Sequence, residues 1–110
     1  MKVVRLQDMV RGWFVGPFEP AALHADGAEV AIKAYGRGER EPRHVHRVAA
    51  EVTAVVSGTI RMDGRELGAG DIAVLAPGEA SDFLALTDAV VVAVKTPAVP
   101  GDKHPAEEPC

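Results

Sequence analysis

His44 and His46 stand two residues apart, and Glu51 follows five residues after the second. In an extended strand residues i and i+2 point to the same face, so both imidazoles can aim into one cavity. A turn over Val48–Ala50 would return the chain as a neighbouring strand and carry the Glu51 carboxylate to them. Two imidazoles and one carboxylate on one face of a metal, with open positions opposite, suit non-haem iron and related divalent ions. The alternative is a metal-free triad in which the histidines and Glu51 hydrogen-bond to one another, since buried polar groups need partners.

Positioning such a triad requires strands, and the chain is written in short apolar runs separated by turn signals. Val3–Leu6, Trp13–Val15, Glu29–Tyr35, His44–Arg47 and Glu51–Val56 read as strands. Thr59–Met62, Arg65–Leu67, Asp71–Leu75, Ser81–Leu86 and Ala89–Lys95 follow. Asp63-Gly64 is a two-residue hairpin signal. Arg37–Arg43 is charged, contains Pro42 and reads as a loop, and Met9–Trp13 as a single helical turn. Turns this frequent predict an all-β fold, a closed antiparallel barrel or jelly roll without exposed edges.

Composition agrees. The 110 residues suit one domain, and 47% hydrophobic residues supply its core. Aromatics are only 5%, so that core rests on Val, Ala, Leu and Ile. Residues 1–97 are assigned to the domain and 98–110 to a proline-rich tail whose last six or so residues are expected to be disordered. A net charge of −4 without a long basic run gives no footprint for nucleic acid. No apolar stretch is long enough for a membrane span, and the start has no secretory signal. The single cysteine, Cys110, excludes an internal disulfide and fits a cytoplasmic location.

The segment Gly38–Gly58 resembles the first motif of the cupin superfamily: a glycine, five residues, His-x-His, three or four residues, Glu, six residues and a glycine. Gly38, His44, His46, Glu51 and Gly58 fill every fixed position. The second cupin motif is matched by Gly70 and Gly78, with its proline displaced to Pro77. Its histidine, usually the fourth metal ligand, is replaced by Ser81, and its asparagine by Ala85. The resemblance spans about residues 29–96. It implies a cupin-type double-stranded β-helix with the metal near one mouth. The segments around Trp13–Pro20 and Lys95–Lys103 are similar to those of small stand-alone bacterial cupins.

Further residues are candidates for the pocket. Tyr35 can offer its hydroxyl to a substrate or simply pack with a polar tip at the rim. Ser81 can hold a metal-bound water or mark a lost site. Glu79 shares its strand parity with Ser81 and can add an oxygen donor, while Asp82 is expected to face away. Arg37, Arg40, Arg43 and Arg47 can steer an anion or form a solvated loop. His24 and His104 have no evident partners in sequence. Trp13, Phe14 and Phe18 suit barrel core or the contact of a homodimer.

The favoured function is a metal-dependent enzyme of oxygenase or isomerase type acting on a small organic or sugar-like molecule. His44, His46 and Glu51 would hold the divalent ion (iron, manganese, zinc or nickel). The alternative is a non-catalytic cupin that binds a small molecule such as a sugar. A purely structural metal is disfavoured, because such sites are closed by four protein ligands.

Overall fold

The computed structural model describes residues 1–106, and nearly all of its regular structure is strand. The strands are β1 (Trp13–Gly16), β2 (Leu23–His24), β3 (Glu29–Tyr35), β4 (Arg40–His46), β5 (Ala50–Ser57) and β6 (Thr59–Met62). They continue as β7 (Arg65–Gly68), β8 (Ile72–Leu75), β9 (Ala80–Ala85), β10 (Ala89–Thr96) and β11 (Lys103–Pro105). One sheet has the order β2-β1-β3-β10-β5-β8, the other β11-β4-β9-β6-β7. Of the closed barrel or jelly roll that the sequence predicted, this is the jelly-roll arrangement, two facing sheets that are each a separate ladder.

Alternation along the strands builds the interior. In β10, Ala89, Val91 and Ala93 are buried, while Val90, Val92 and Val94 lie on the other face. The core joins Val55 and Val91 of the larger sheet to Ile60, Met62, Phe83 and Ala85 of the smaller one. With few aromatics available, the close approach of the sheets uses Ala and Val, and Ile60 is the largest wholly enclosed side chain.

Three local expectations change. Val3–Leu6 forms no strand: Val3, Val4 and Leu6 are exposed, and the chain instead makes a 3-10 turn at Leu6–Asp8, upstream of the predicted Met9–Trp13. The charged segment read as a loop is strand from Arg40 on, because β9 supplies partners: Arg40 faces Leu84 and Glu41 faces Phe83. Pro42 is accommodated because the ladder shifts register between Glu41 and His44, where no proline N–H is needed. In the segment set apart as a tail, Lys103–Pro105 pairs with His44–His46 of β4. The predicted disorder at the end falls, from residue 107 on, outside the described residues.

Candidate metal centre

β4 carries His44 and His46, and β5 carries Glu51, with the turn at residues 47–49 between them. The two strands lie in different sheets, so the triad spans the sandwich rather than one ladder. One donor atom from each of His44, His46 and Glu51 lies within 4.8 Å of the others. Glu51 Oε2 is 3.0 Å from His46 Nδ1 and 3.9 Å from His44 Nε2; the longer distance is an ionic contact rather than a hydrogen bond. The imidazole rings meet edge to face with centres 5.2 Å apart.

The ring nitrogens are suited to an ion. His44 Nδ1 lies 3.0 Å from the Pro42 carbonyl oxygen. It must carry the proton to donate there, which leaves Nε2 with its lone pair on the Glu51 side. His46 is buried, and its Nε2 has no hydrogen-bond partner among the described residues. Such an orphan is uncommon in a folded interior, and coordination would satisfy it. The donor set is therefore one that a divalent cation fits.

Charge tunes the three groups differently. The Glu51 carboxylate raises His44 above its ordinary pKa, against the effect of burial. Burial lowers His46, with Glu51 opposing, which favours the neutral ligand form. Burial pushes Glu51 up, but His44, His46 and Lys95 outweigh it and hold the carboxyl below its usual range.

The triad lines a cavity of about 40 Å³ between the sheets. That is room for an ion and a water or two, so a larger ligand must reach in from the rim. Ser81 lies directly opposite His44 in the β4–β9 pair and borders this cavity. It is 1% exposed, and its hydroxyl donates to the Asp82 carbonyl at 2.7 Å. Tyr35 also borders the cavity, its ring 4.4 Å from Phe83 and its hydroxyl donating to Glu41 at 2.6 Å. Burial foremost, and the Glu41 bond, raise the phenol's pKa and keep it protonated.

Glu79 is not brought into the cavity. It is exposed and closes the Pro77-Gly78 turn, accepting the Ala76 N–H at 3.0 Å while its own N–H reaches the Ala76 carbonyl. Asp82 touches the cavity edge, and its carboxylate accepts the Asp63 N–H at 2.9 Å. None of Arg37, Arg40, Arg43 and Arg47 lines the cavity; Arg43 pairs with Asp63 at 2.8 Å. His24 is an exposed residue near Glu19 and Asp26, and His104 lies 3.7 Å from Asp102.

Sequence reasoning missed Trp13, Lys33, Glu41, Lys95 and Lys103 as cavity residues. For Lys33 the available signal was parity, since it is two residues before Tyr35 on β3; Glu41, three residues before His44, has the opposite parity and reaches the cavity only through the register shift between them. Lys103 had no such signal, since only the β11 pairing brings it beside His46.

No protein-family model matches the chain, and no curated protein is significantly similar to it. Solved structures do match. An uncharacterized conserved protein with a double-stranded beta-helix domain from Klebsiella pneumoniae is 25% identical, with a TM-score of 0.69 over 76% of this chain and 74% of its own. KdgF from Halomonas sp. is 23% identical, with a TM-score of 0.63 over 70% of this chain and 74% of its own. A sugar phosphate isomerase described as of the cupin superfamily, from Silicibacter pomeroyi, is 23% identical. Its TM-score is 0.60 over 64% of this chain and 50% of its own. The fold is of the cupin type. The His-x-His strand and the Glu strand bring His44, His46 and Glu51 together, and Ser81 lies opposite His44 in the β4–β9 pair. Among the described residues no helix is long and apolar enough to cross a membrane.

Proposed function

We propose that the chain is a small metal-dependent enzyme of oxygenase or isomerase type, holding one divalent ion on His44, His46 and Glu51. The observation that carries this reading is the convergence of one donor atom from each of the three residues to within 4.8 Å of one another. The ion would supply Lewis-acid polarisation or a redox centre. The protein's own groups do the rest. Pro42 holds the His44 tautomer. Glu41, kept ionised by Tyr35, Lys33 and Lys103 despite burial, is a fixed negative charge in the cavity wall. Ser81 leaves a fourth position to water or to a small organic or sugar-like substrate.

One observation favours the second reading, a non-catalytic binding protein. The Ser81 hydroxyl is committed to a backbone carbonyl, so it offers its proton to no ligand in this arrangement. Elemental analysis of protein purified without an affinity tag tests the common premise. About one first-row metal per chain is expected, lost in His44→Ala and His46→Ala. Retention of the ion in those variants removes the triad from the proposal. Oxygen uptake with phenols and thiols, and isomerisation of small sugars, then separate turnover from binding.

The expected homodimer is proposed on another surface than the aromatic N-terminal patch. Trp13 is used in the cavity wall, and the Phe18 ring packs on Gly16. The outer face of the larger sheet instead carries Ile32, Val92, Ala54 and Ile72 in one row across four strands. Val30, Val94, Val52 and Val74 form the next row. A face without charge sets no like charges opposite one another about a two-fold axis. Light scattering should give twice the chain mass, and Ile72→Asp with Val74→Asp should give the monomer. A monomeric parent protein overturns the assignment.

A further inference from the structure

Lys33 is the cation of the cavity wall without an acidic partner of its own. Lys95 pairs with Glu29 at 3.7 Å and Lys103 with Glu41 at 3.6 Å. Lys33 makes no ion pair or hydrogen bond among the described residues; its ammonium lies 5.1 Å from the centre of the Trp13 ring. Glu41 faces it through space, but that carboxylate already accepts the Tyr35 hydroxyl and pairs with Lys103. Register explains the placement. On β3, Lys33 falls opposite Val91 of β10, so it shares the inward face with Tyr35 and buried Ala31. Lys33 also borders a neighbouring surface cleft, and so stands between the metal centre and the outside.

We propose that Lys33 anchors the anionic group, a carboxylate or a phosphate, of the small molecule that reaches the His44–His46–Glu51 centre. The substrate class is then a small organic anion. The clause about reaching the centre rests on the metal reading above; the anchor itself does not.

Charge balance supports the anchor. Two of the three wall lysines pair with a carboxylate, at 3.7 and 3.6 Å, and Asp82 at the cavity edge keeps its charge while accepting the Asp63 N–H. A divalent ion on the triad would leave an excess of positive charge facing the cavity, which an anion balances. Burial lowers the pKa of Lys33, with Glu41 opposing, so the ammonium stands under-solvated and gains from an incoming negative group. A neutral sugar would leave that ammonium with only the shared Glu41 carboxylate, acting through space, and the Trp13 ring.

Trp13 is the one tryptophan of the chain, and both Lys33 and Lys95 lie over its ring, at 5.1 and 4.6 Å. Its fluorescence therefore reports on the anchor without any turnover. Metal-free and zinc-loaded protein are titrated with malonate and with glycerol 3-phosphate, against malonamide and glycerol as neutral counterparts, at ionic strength balanced with sodium chloride. A saturable change with at least one anion and none with its neutral counterpart is expected. Lys33→Gln should weaken that binding about tenfold, the scale of a lost charge-assisted contact, and Lys33→Arg should retain most of it. Which anion binds more tightly separates carboxylate from phosphate recognition. Equal affinity in the parent and Lys33→Gln proteins, equal response to the neutral compounds, or no saturable response in either metal state overturns the anchor. Anion binding that depends on Lys33 in protein unable to hold zinc overturns the metal reading and leaves the anchor standing.

Discussion

The Asp102 carboxylate accepts the backbone N–H of Ala49 at 2.9 Å, joining the end of the described chain to the turn between two of the candidate ligands. It also accepts from Arg47 at 2.9 Å and Val48 at 3.0 Å. These three amides form the link from His46 to Glu51, so one side chain fixes the path on which the triad's geometry depends. Next in sequence, Lys103 pairs with His46 and Pro105 with His44.

Asp102→Ala should therefore lower the melting temperature and weaken metal binding roughly 10- to 100-fold, the usual scale for a group that orients ligands. Asp102→Asn keeps one acceptor oxygen and should fall between. Thermal melts and metal titration of the same samples check this. Unchanged ion affinity in a destabilised Asp102→Ala protein would show that the turn holds the fold but not the site.

Metal-dependent stabilisation should shrink as pH falls from about 8 to 5, because protons compete for imidazole nitrogens. The raised pKa of His44, caused by Glu51, starts that competition above the ordinary histidine value of 6.5. In metal-free protein the signs divide. The His44 contribution is present in full below 6.5 and is lost as pH rises through its raised folded value. His46 is depressed, so its effect on stability worsens as pH drops below 6.5, where the unfolded chain takes the proton more readily. Glu51 and Asp102 are both depressed; their contributions are present above the ordinary carboxylate values and disappear as pH falls through the folded ones. Melting temperature against pH, with and without zinc, measures all of this. A zinc-induced increment that is the same at pH 5 and pH 8, each on the order of one unit from a histidine pKa, would contradict ligation by His44.

Much of the triad was legible because its information is local. His44 and His46 share parity on one strand, and Glu51 follows after a turn too short to carry it far away. Apart from the first half of β4, the strand runs from Glu29 to Lys95 were legible for the same reason, since alternation and turn residues act over a few positions. What was lost depends on partners distant in sequence. β4 begins at Arg40 only because β9 lies alongside, and β11 exists only because β4 offers an edge. Glu79 had the right parity for the cavity, but its bond to Ala76 spends it on the turn. Lys33 and Lys95 look like ordinary surface charges until register sets them around Trp13.

Ser81→His should tighten metal binding about tenfold or more, by adding a fourth protein ligand to an open site. The direct pairing of Ser81 with His44 and its place in the cavity wall aim the new imidazole at the triad. Ser81 is 1% exposed, so the larger ring crowds the interior and should cost about 1–3 kcal/mol in the metal-free state. A lower melting temperature without metal and a larger increment with zinc are expected together. Destabilisation with unchanged zinc affinity would place the new ring outside the coordination sphere.

The two glycines that bracket the His-x-His segment should respond unequally to alanine. Gly38 and Gly58 both adopt positive φ, 87° and 81°. An L-residue there loses roughly 1–2 kcal/mol from backbone strain alone. At Gly38 an added Cβ meets nothing within 4 Å, so Gly38→Ala should stop at that cost. At Gly58 the same atom would collide with the Asp88 carbonyl oxygen and with Ala89, which is 3% exposed and cannot yield freely. Gly58→Ala must push apart the β5–β6 turn and the start of β10, so its loss should exceed that of Gly38→Ala by about 1 kcal/mol or more. Paired urea titrations measure the difference, and equal midpoints would mean that the β10 start moves aside at no cost.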